Sequence, residues 1–216
     1  MIFQNRIDAA TKLAKNLEWL KKEDTTILAI PRGGVIIGDV ISSLLNATLD
    51  IVISRKIGAP HNPELAIGAA MHDGSYFPND DIIRMLSVPQ KYIDSEMHAQ
   101  TKEIERRLMK FRGTNEYHLE GKTIVLVDDG IATGATMFVA IQWVKKQKPK
   151  QLIVAIPVGP KETIDQLNKV VNKVLVLQSP IHFNAVGEFY REFDQVEDYQ
   201  VQEIMSKHGY QPQLLK

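Results

Sequence analysis

The sequence predicts an α/β protein: an open, mainly parallel sheet with helices on both faces, in a single domain with a small C-terminal cap or hood. Three observations lead there. From residue 25 to residue 177, short β-branched apolar runs alternate with segments of helical period, the pattern of strand-helix-strand units. The run Ile124 to Val127 is apolar without interruption, which suits a central strand covered on both faces. After Ser179 the character changes to a stretch rich in aromatics with no clean period. The core is accordingly assigned to residues 23–178 and the hood to residues 179–216, with the N-terminal helix as a candidate contributor to the hood.

The chain opens with an amphipathic helix whose Ile7, Ala10, Leu13, Ala14, Leu17 and Leu20 share one face, expected to end near Lys22. Thr25 to Ile30 reads as a strand, followed by Pro31-Arg32-Gly33-Gly34 and a helix over Val35 to Leu45. Leu49 to Ser54 is a second apolar strand that delivers Arg55 and Lys56 at its end. Gly58 to Glu64 has the Gly, Pro and Asn content of a loop, and Leu65 to Met71 returns as a strand before His72-Asp73-Gly74 turns the chain. A short helix is expected around Asp81 to Leu86. A long, charge-rich one covers Lys91 to Phe111, with Ile93, Met97, Ile104, Leu108 and Phe111 inward and pairs such as Glu103 and Arg107 on its solvated face. Strands at Leu152 to Pro157 and Val174 to Leu177 flank a helix over Lys161 to Val170. A final helix over Val196 to His208 is capped by Asp194 or a neighbour.

The richest segment runs from Thr123 to Thr136. Its strand ends in Asp128 and Asp129, and in open α/β sheets ligands bind outside the strands' carboxyl ends. Gly130, Ile131 and Ala132 lead into Thr133, Gly134, Ala135 and Thr136, after which Met137, Ala140, Ile141 and Val144 recur at helical spacing. Asp-Gly after an apolar run also signals a hairpin, but a hairpin needs a second strand directly after the turn. Backbone N–H groups at a helix start, flanked by hydroxyls, instead make an anion site. At the end of the first strand, Gly33 and Gly34 let backbone amides approach an anion closely, and Arg32 adds a planar charged fork suited to phosphate oxygens. Phe183, Phe189, Tyr190 and Phe193 read chiefly as hood packing, with Phe183 the preferred candidate to stack on a planar group at the rim.

These residues carry a resemblance. The segment from Thr123 to Thr136 is similar to the phosphoribosyl-pyrophosphate (PRPP) signature of the type I phosphoribosyltransferases, departing at Gly130, where that family usually carries an aliphatic residue. PRGG, the run RKIGAPHNPE and AVGEFY extend the likeness over most of the chain, toward a group of bacterial proteins described only as predicted phosphoribosyltransferases. The resemblance implies the type I phosphoribosyltransferase fold. It implies transfer of ribose 5-phosphate from PRPP to a nitrogen acceptor, a nucleobase or related amine, with release of pyrophosphate. By the same resemblance, Asp128 and Asp129 would bind the ribose hydroxyls and help place Mg2+, and the loop from Gly130 to Thr136 would hold the 5′-phosphate. Arg32, Gly33, Gly34, Arg55 and Lys56 would face the pyrophosphate, and the segment from Ile57 to Ala70 would form a lid containing His61 and Glu64 as candidate proton-handling groups. The hypoxanthine-guanine enzymes usually carry a third acid where this chain has Ala132, so that acceptor class is disfavoured.

Composition narrows the remaining classes. With 26 basic and 26 acidic residues the chain has no net charge, and so no general electrostatic reason to bind nucleic acid or an anionic membrane. Lys145, Lys146, Lys148 and Lys150 read as a helix end complementing its dipole. The absence of cysteine excludes disulfides and thiolate chemistry, and the six histidines lack close ligand spacing. No apolar run is long enough to span a membrane, and the N-terminus has no secretory pattern, so cytoplasmic residence is expected. The expected partners are PRPP and a small-molecule acceptor, and the sequence leaves a homo-oligomer open. A rival class is a regulator that senses PRPP or a nucleotide without turnover; a structural protein that binds no PRPP is a third.

Overall fold

The computed structural model describes residues 2–213. Met1 and residues 214–216 of the expected hood lie outside the described residues. Five strands, β1 (Thr25–Ala29), β2 (Thr48–Ile51), β6 (Thr123–Val127), β7 (Gln151–Val158) and β8 (Lys173–Gln178), form a parallel sheet in the order β2-β1-β6-β7-β8. Alternate residues point to opposite faces. Ile27, Ala29, Val125 and Val127 belong to one cluster with α1 (Arg6–Asn16) and α2 (Gly33–Leu45), whereas Leu28, Ile124, Leu126 and Val154 join α5 (Ala135–Lys146) and α6 (Lys161–Asn168). Every residue of β1 and β6 is buried because both faces are covered, which is why their sequences are apolar runs and not alternations.

The second apolar run behaves differently from its expectation. Strand β2 stops at Ile51, and the chain leaves the sheet through buried Val52 and Ile53 to start β3 (Ser54–Ala59). With β4 (Asn62–Met71) and β5 (Tyr76–Pro78), β3 makes a three-stranded antiparallel sheet. The segment expected as a loop is therefore the tip of a hairpin, turning at Pro60 and His61, with His61 in the left-handed region at φ 64°. Gly58 serves close approach and not looseness: a Cβ there would lie 2.7 Å from the Cα of Pro63. One face of this sheet, with Ile57, Ile67 and Ala70, joins the cluster that includes α4 (Gln90–Phe111); the other, with Ala69 and Met71, joins that of α5.

The helices follow their expected positions with shifted ends. Helix α1 stops at Asn16 and gives way to a short 3-10 turn, Glu18–Leu20. Helix α2 starts two residues early, so Gly33 and Gly34 are its first turn. The short helix α3 (Asp80–Leu86) precedes α4, where Ile93, Ile104, Leu108 and Phe111 are buried as expected and Met97 is partly so. Helix α7 (Asp198–Lys207) is capped by Glu197, whose side chain and that of Gln200 form a reciprocal box, and not by Asp194. The N-terminal segment joins the hood: Phe3 N donates to Phe189 O at 2.8 Å, Arg191 N to Phe3 O at 2.9 Å, and the Phe3 and Tyr190 rings lie 5.4 Å apart. No helix among the described residues is long and apolar enough to cross a membrane.

Candidate functional site

Because β1 and β6 pair in register, with Ala29 opposite Val127, their following loops leave the sheet side by side. Ile30 N donates to Val127 O at 3.0 Å and extends the pairing to the mouth of the site. The two glycines of PRGG are then required by contact. A Cβ on Gly33 would overlap Asp129 Oδ2, and one on Gly34 would lie 2.9 Å from Val127 O. Any larger residue would push the acids out of place or open the first turn of α2. The sequence signals at residues 32–34 and 128–129 thus converge in space.

The two acids have different surroundings. Asp129 Oδ2 accepts a hydrogen bond from Arg6 Nε at 2.8 Å, its backbone carbonyl accepts one from Tyr190 Oη at 2.6 Å, and its side chain is 15% exposed. Asp128 Oδ1 accepts the amide of Asp129 at 2.8 Å, the one protein donor to this carboxylate among the described residues. Burial pushes the Asp128 carboxyl well above the usual carboxylate range, and the adjacent Asp129 charge pushes it further. Burial also raises Asp129, with the Arg6 guanidinium acting against that rise. Two adjacent carboxyls with spare acceptor capacity at a strand end are poorly satisfied by the protein alone, and hydroxyl donors or a cation would complete them.

Beside them, Asp128 and residues Gly130 to Met137 line a cavity of about 170 Å³. Gly134 caps α5 in the left-handed region at φ 74°, so the chain can turn into the helix there without a Cβ penalty. Thr163 Oγ1 donates to Ala132 O at 2.8 Å and pins the loop from α6. Thr133, Ala135 and Thr136 remain exposed at the loop's rim, where first-turn amides have no intrahelical acceptors. Gly130 is buried against the hood. A Cβ there would meet Val186 Cγ1 at 2.6 Å, so the hood's valine fills the space that the absent aliphatic side chain would take.

The other expected residues separate. Arg32 is near the site, its Nη1 lying 3.4 Å from Asp198 Oδ1 at the start of α7. Arg55 and Lys56 are not at a strand's end but inside β3, and alternation sends them to opposite faces. Arg55 Nε donates to Gln100 Oε1 on α4 at 2.5 Å. Lys56 instead lines a cavity of about 560 Å³ between the small sheet and α5, shared with Ala135 and Thr136. His61 is exposed at the hairpin tip, and Glu64 pairs with Lys56 at 2.7 Å. Phe183 stacks on Phe189 with ring centroids 5.5 Å apart, so one of its faces is already covered. Sequence reasoning missed Arg6, Tyr190 and Val186 as parts of the site. Nothing local marks Arg6, since its partner is 123 residues away.

The family model for the phosphoribosyl transferase domain matches residues 1–193. A Mycobacterium tuberculosis protein whose name assigns it provisionally to the phosphoribosyl transferases is 37% identical over 201 residues, 93% of this chain. The chain spans 45% of that protein's length. Among solved structures, TT1426 from Thermus thermophilus superposes with a TM-score of 0.83 at 35% identity, covering 96% of this chain and 99% of that one. A hypoxanthine-guanine phosphoribosyltransferase from Bacillus anthracis shares the fold at a TM-score of 0.50 and 14% identity, covering 89% and 91% of the two chains. With the acids, the glycine loop and the helix-start loop all inside the matched region, the chain belongs to the phosphoribosyl transferase domain family.

Proposed function

We propose that this chain transfers the ribose 5-phosphate group of PRPP to a nitrogen acceptor and releases pyrophosphate. The observation that carries the reading is the contact between two loops from adjacent strands, close enough that a single methyl group on Gly33 would collide with Asp129. Asp128 and the open helix start line one cavity, and Gly33 and Gly34 pack directly against the acid pair. Asp128 and Asp129 would accept the ribose 2′- and 3′-hydroxyls. The first-turn amides after Gly134, with the Thr133 and Thr136 hydroxyls, would hold the 5′-phosphate. Gly33 and Gly34 amides, with Arg32 and Lys56, would face the pyrophosphate.

In the reaction the bond from C1 of the ribose to the pyrophosphate oxygen breaks, its electron pair leaving on pyrophosphate. The acceptor nitrogen's lone pair forms the new bond at C1, and the acceptor's N–H proton passes to pyrophosphate or water. No enzyme nucleophile is needed. Positive charge develops on the ring, and the Asp128 and Asp129 carboxylates, held next to it, would stabilise that charge without reorganisation. The donor set also fits magnesium of a particular kind. Two hard oxygen donors are present, but no group of three or more His, Asp or Glu side chains gathers to hold a metal among the described residues. That suits an ion that arrives on the substrate's phosphates and keeps its waters, not one in an all-protein cage. Such an ion would neutralise charge on the departing pyrophosphate.

Calorimetric titration with PRPP and magnesium, followed by a screen of purines, pyrimidines and other amines for pyrophosphate release, tests the reading. Release with one acceptor supports transfer. Binding without turnover on any acceptor would replace it with a PRPP-sensing regulator, and no binding would overturn both.

A further inference from the structure

Arg6 is placed where helix physics alone would not put it. It is the first residue of α1, whose N-terminus is already capped by the Asn5 side chain accepting from Asp8 N at 3.1 Å. A cation at the positive end of a helix dipole is unfavourable. Its side chain is nevertheless only 12% exposed and is restrained three times. Nε donates to Asp129 Oδ2 at 2.8 Å, Nη1 donates to Asp194 O at 2.8 Å, and the guanidinium carbon lies 3.9 Å from the centre of the Phe193 ring. The hood segment providing those contacts is itself tied to the N-terminus through Phe3, and Glu192 N donates to Gln4 O at 3.0 Å. A side chain held by a stack, a carbonyl and a carboxylate is a fixed part of the site. It is not a strap that swings away.

We propose that Arg6 is a positioning residue that ties one oxygen of Asp129 to the hood and screens the acid pair, so that the site accepts a sugar phosphate bringing its own metal and discriminates against the bare divalent cation. This rests on the PRPP reading above. Two adjacent carboxylates with no counter-charge attract free divalent metal and repel a polyanionic substrate. One fixed guanidinium reverses both tendencies, and it holds one oxygen of Asp129 in place next to Asp128. Asp129 is thereby oriented for the ribose hydroxyls before any ligand arrives.

The test compares wild type with Arg6→Gln, which removes the charge while keeping a polar side chain, and Arg6→Lys, which keeps the charge but loses the fork and the stack. Calorimetry with magnesium alone and then with PRPP at saturating magnesium gives two affinities for each protein. Arg6→Gln should bind PRPP about tenfold more weakly, because the polyanion then meets an unscreened acid pair whose Asp129 is no longer held, and bind magnesium alone more tightly. Arg6→Lys should recover the magnesium discrimination but only part of the PRPP affinity. Unchanged magnesium affinity in Arg6→Gln overturns the proposal and leaves Arg6 as a structural tie of the hood. Phe193→Leu guards against simple hood loosening: it removes the stack but not the ion pair and should leave the magnesium affinity at the wild-type value, whereas a gain equal to that of Arg6→Gln would also overturn the proposal. Absent PRPP binding in the wild type would instead strike the functional reading, a result distinct from a wild type that binds and an Arg6→Gln variant that does not differ from it.

Discussion

The two most buried acid-arginine pairs among the described residues differ in how completely the acid is used. Asp50 in β2 is buried, and both of its oxygens are taken by Arg112: Nε to Oδ1 at 2.6 Å and Nη2 to Oδ2 at 2.8 Å, with Ile51 N adding a bond to Oδ1 at 2.7 Å. Arg112 in turn donates to Thr114 O at 3.0 Å and stacks 4.0 Å from the centre of the Tyr117 ring. The pair of Arg6 and Asp129 uses one carboxylate oxygen and stands beside a second acid. Residue types are the same; saturation is not. A closed pair holds the fold, and an open one leaves capacity for something from outside.

Breaking the closed pair should give the largest effect. Arg112→Met leaves Asp50 buried without its partner and should cost about 3–5 kcal/mol of stability in a urea titration, with PRPP affinity of the folded protein unchanged. A loss under about 1 kcal/mol would mean that the pair is dispensable and the contrast is wrong. At the open site the pattern should invert. Asp128→Asn should leave stability unchanged or slightly raised, because it relieves a like charge, while PRPP affinity falls roughly 10- to 100-fold. Asp129→Asn is a less clean probe, since it also unpairs Arg6.

Smaller effects sharpen the same contrast. Gly134→Ala forces a side chain into the left-handed region, with its Cβ 2.8 Å from Thr163 Cγ2, and should cost about 1–2 kcal/mol as well as weakening phosphate-loop binding. The smallest effect is at His72, whose ring lies tilted 5.0 Å from that of Tyr117 and edge-on 5.1 Å from that of Trp143. Burial lowers its pKa below the ordinary 6.5, so the folded state resists the proton that the unfolded chain accepts. Stability is therefore fully present above that value and declines as pH falls below it, because the unfolded state then binds more protons. The thermal midpoint should drop between about pH 7.5 and pH 5.5, and His72→Phe should flatten the drop. An equal slope in the variant would assign the dependence to other groups.

The parallel core was legible because its central strands are buried on both faces and its helices on one, so composition and period carry separate signals. Thr123 to Thr136 was legible for the same reason, being strand, turn and helix in sequence order. The antiparallel sheet was not. Gly58, Pro60 and Pro63 mark loops in general, but here they shape a hairpin whose strands gain their stability from α4 and α5, both distant in sequence. Arg55 and Lys56 were misread as a pair for that reason: once they belong to a strand, a period of two separates them.

Local chemistry along the chain determined the α/β class, the acid pair, the helix-start loop and the glycine loop, because each depends on residues within a few positions of one another. Tertiary structure alone decided that Gly33 must make room for Asp129, that Val186 fills the space above Gly130, and that Arg6 from the first helix neutralises an acid of the sixth strand's end. Those contacts join segments far apart in the chain. Their energies depend on distance and burial in three dimensions, which no pattern of neighbouring residues encodes.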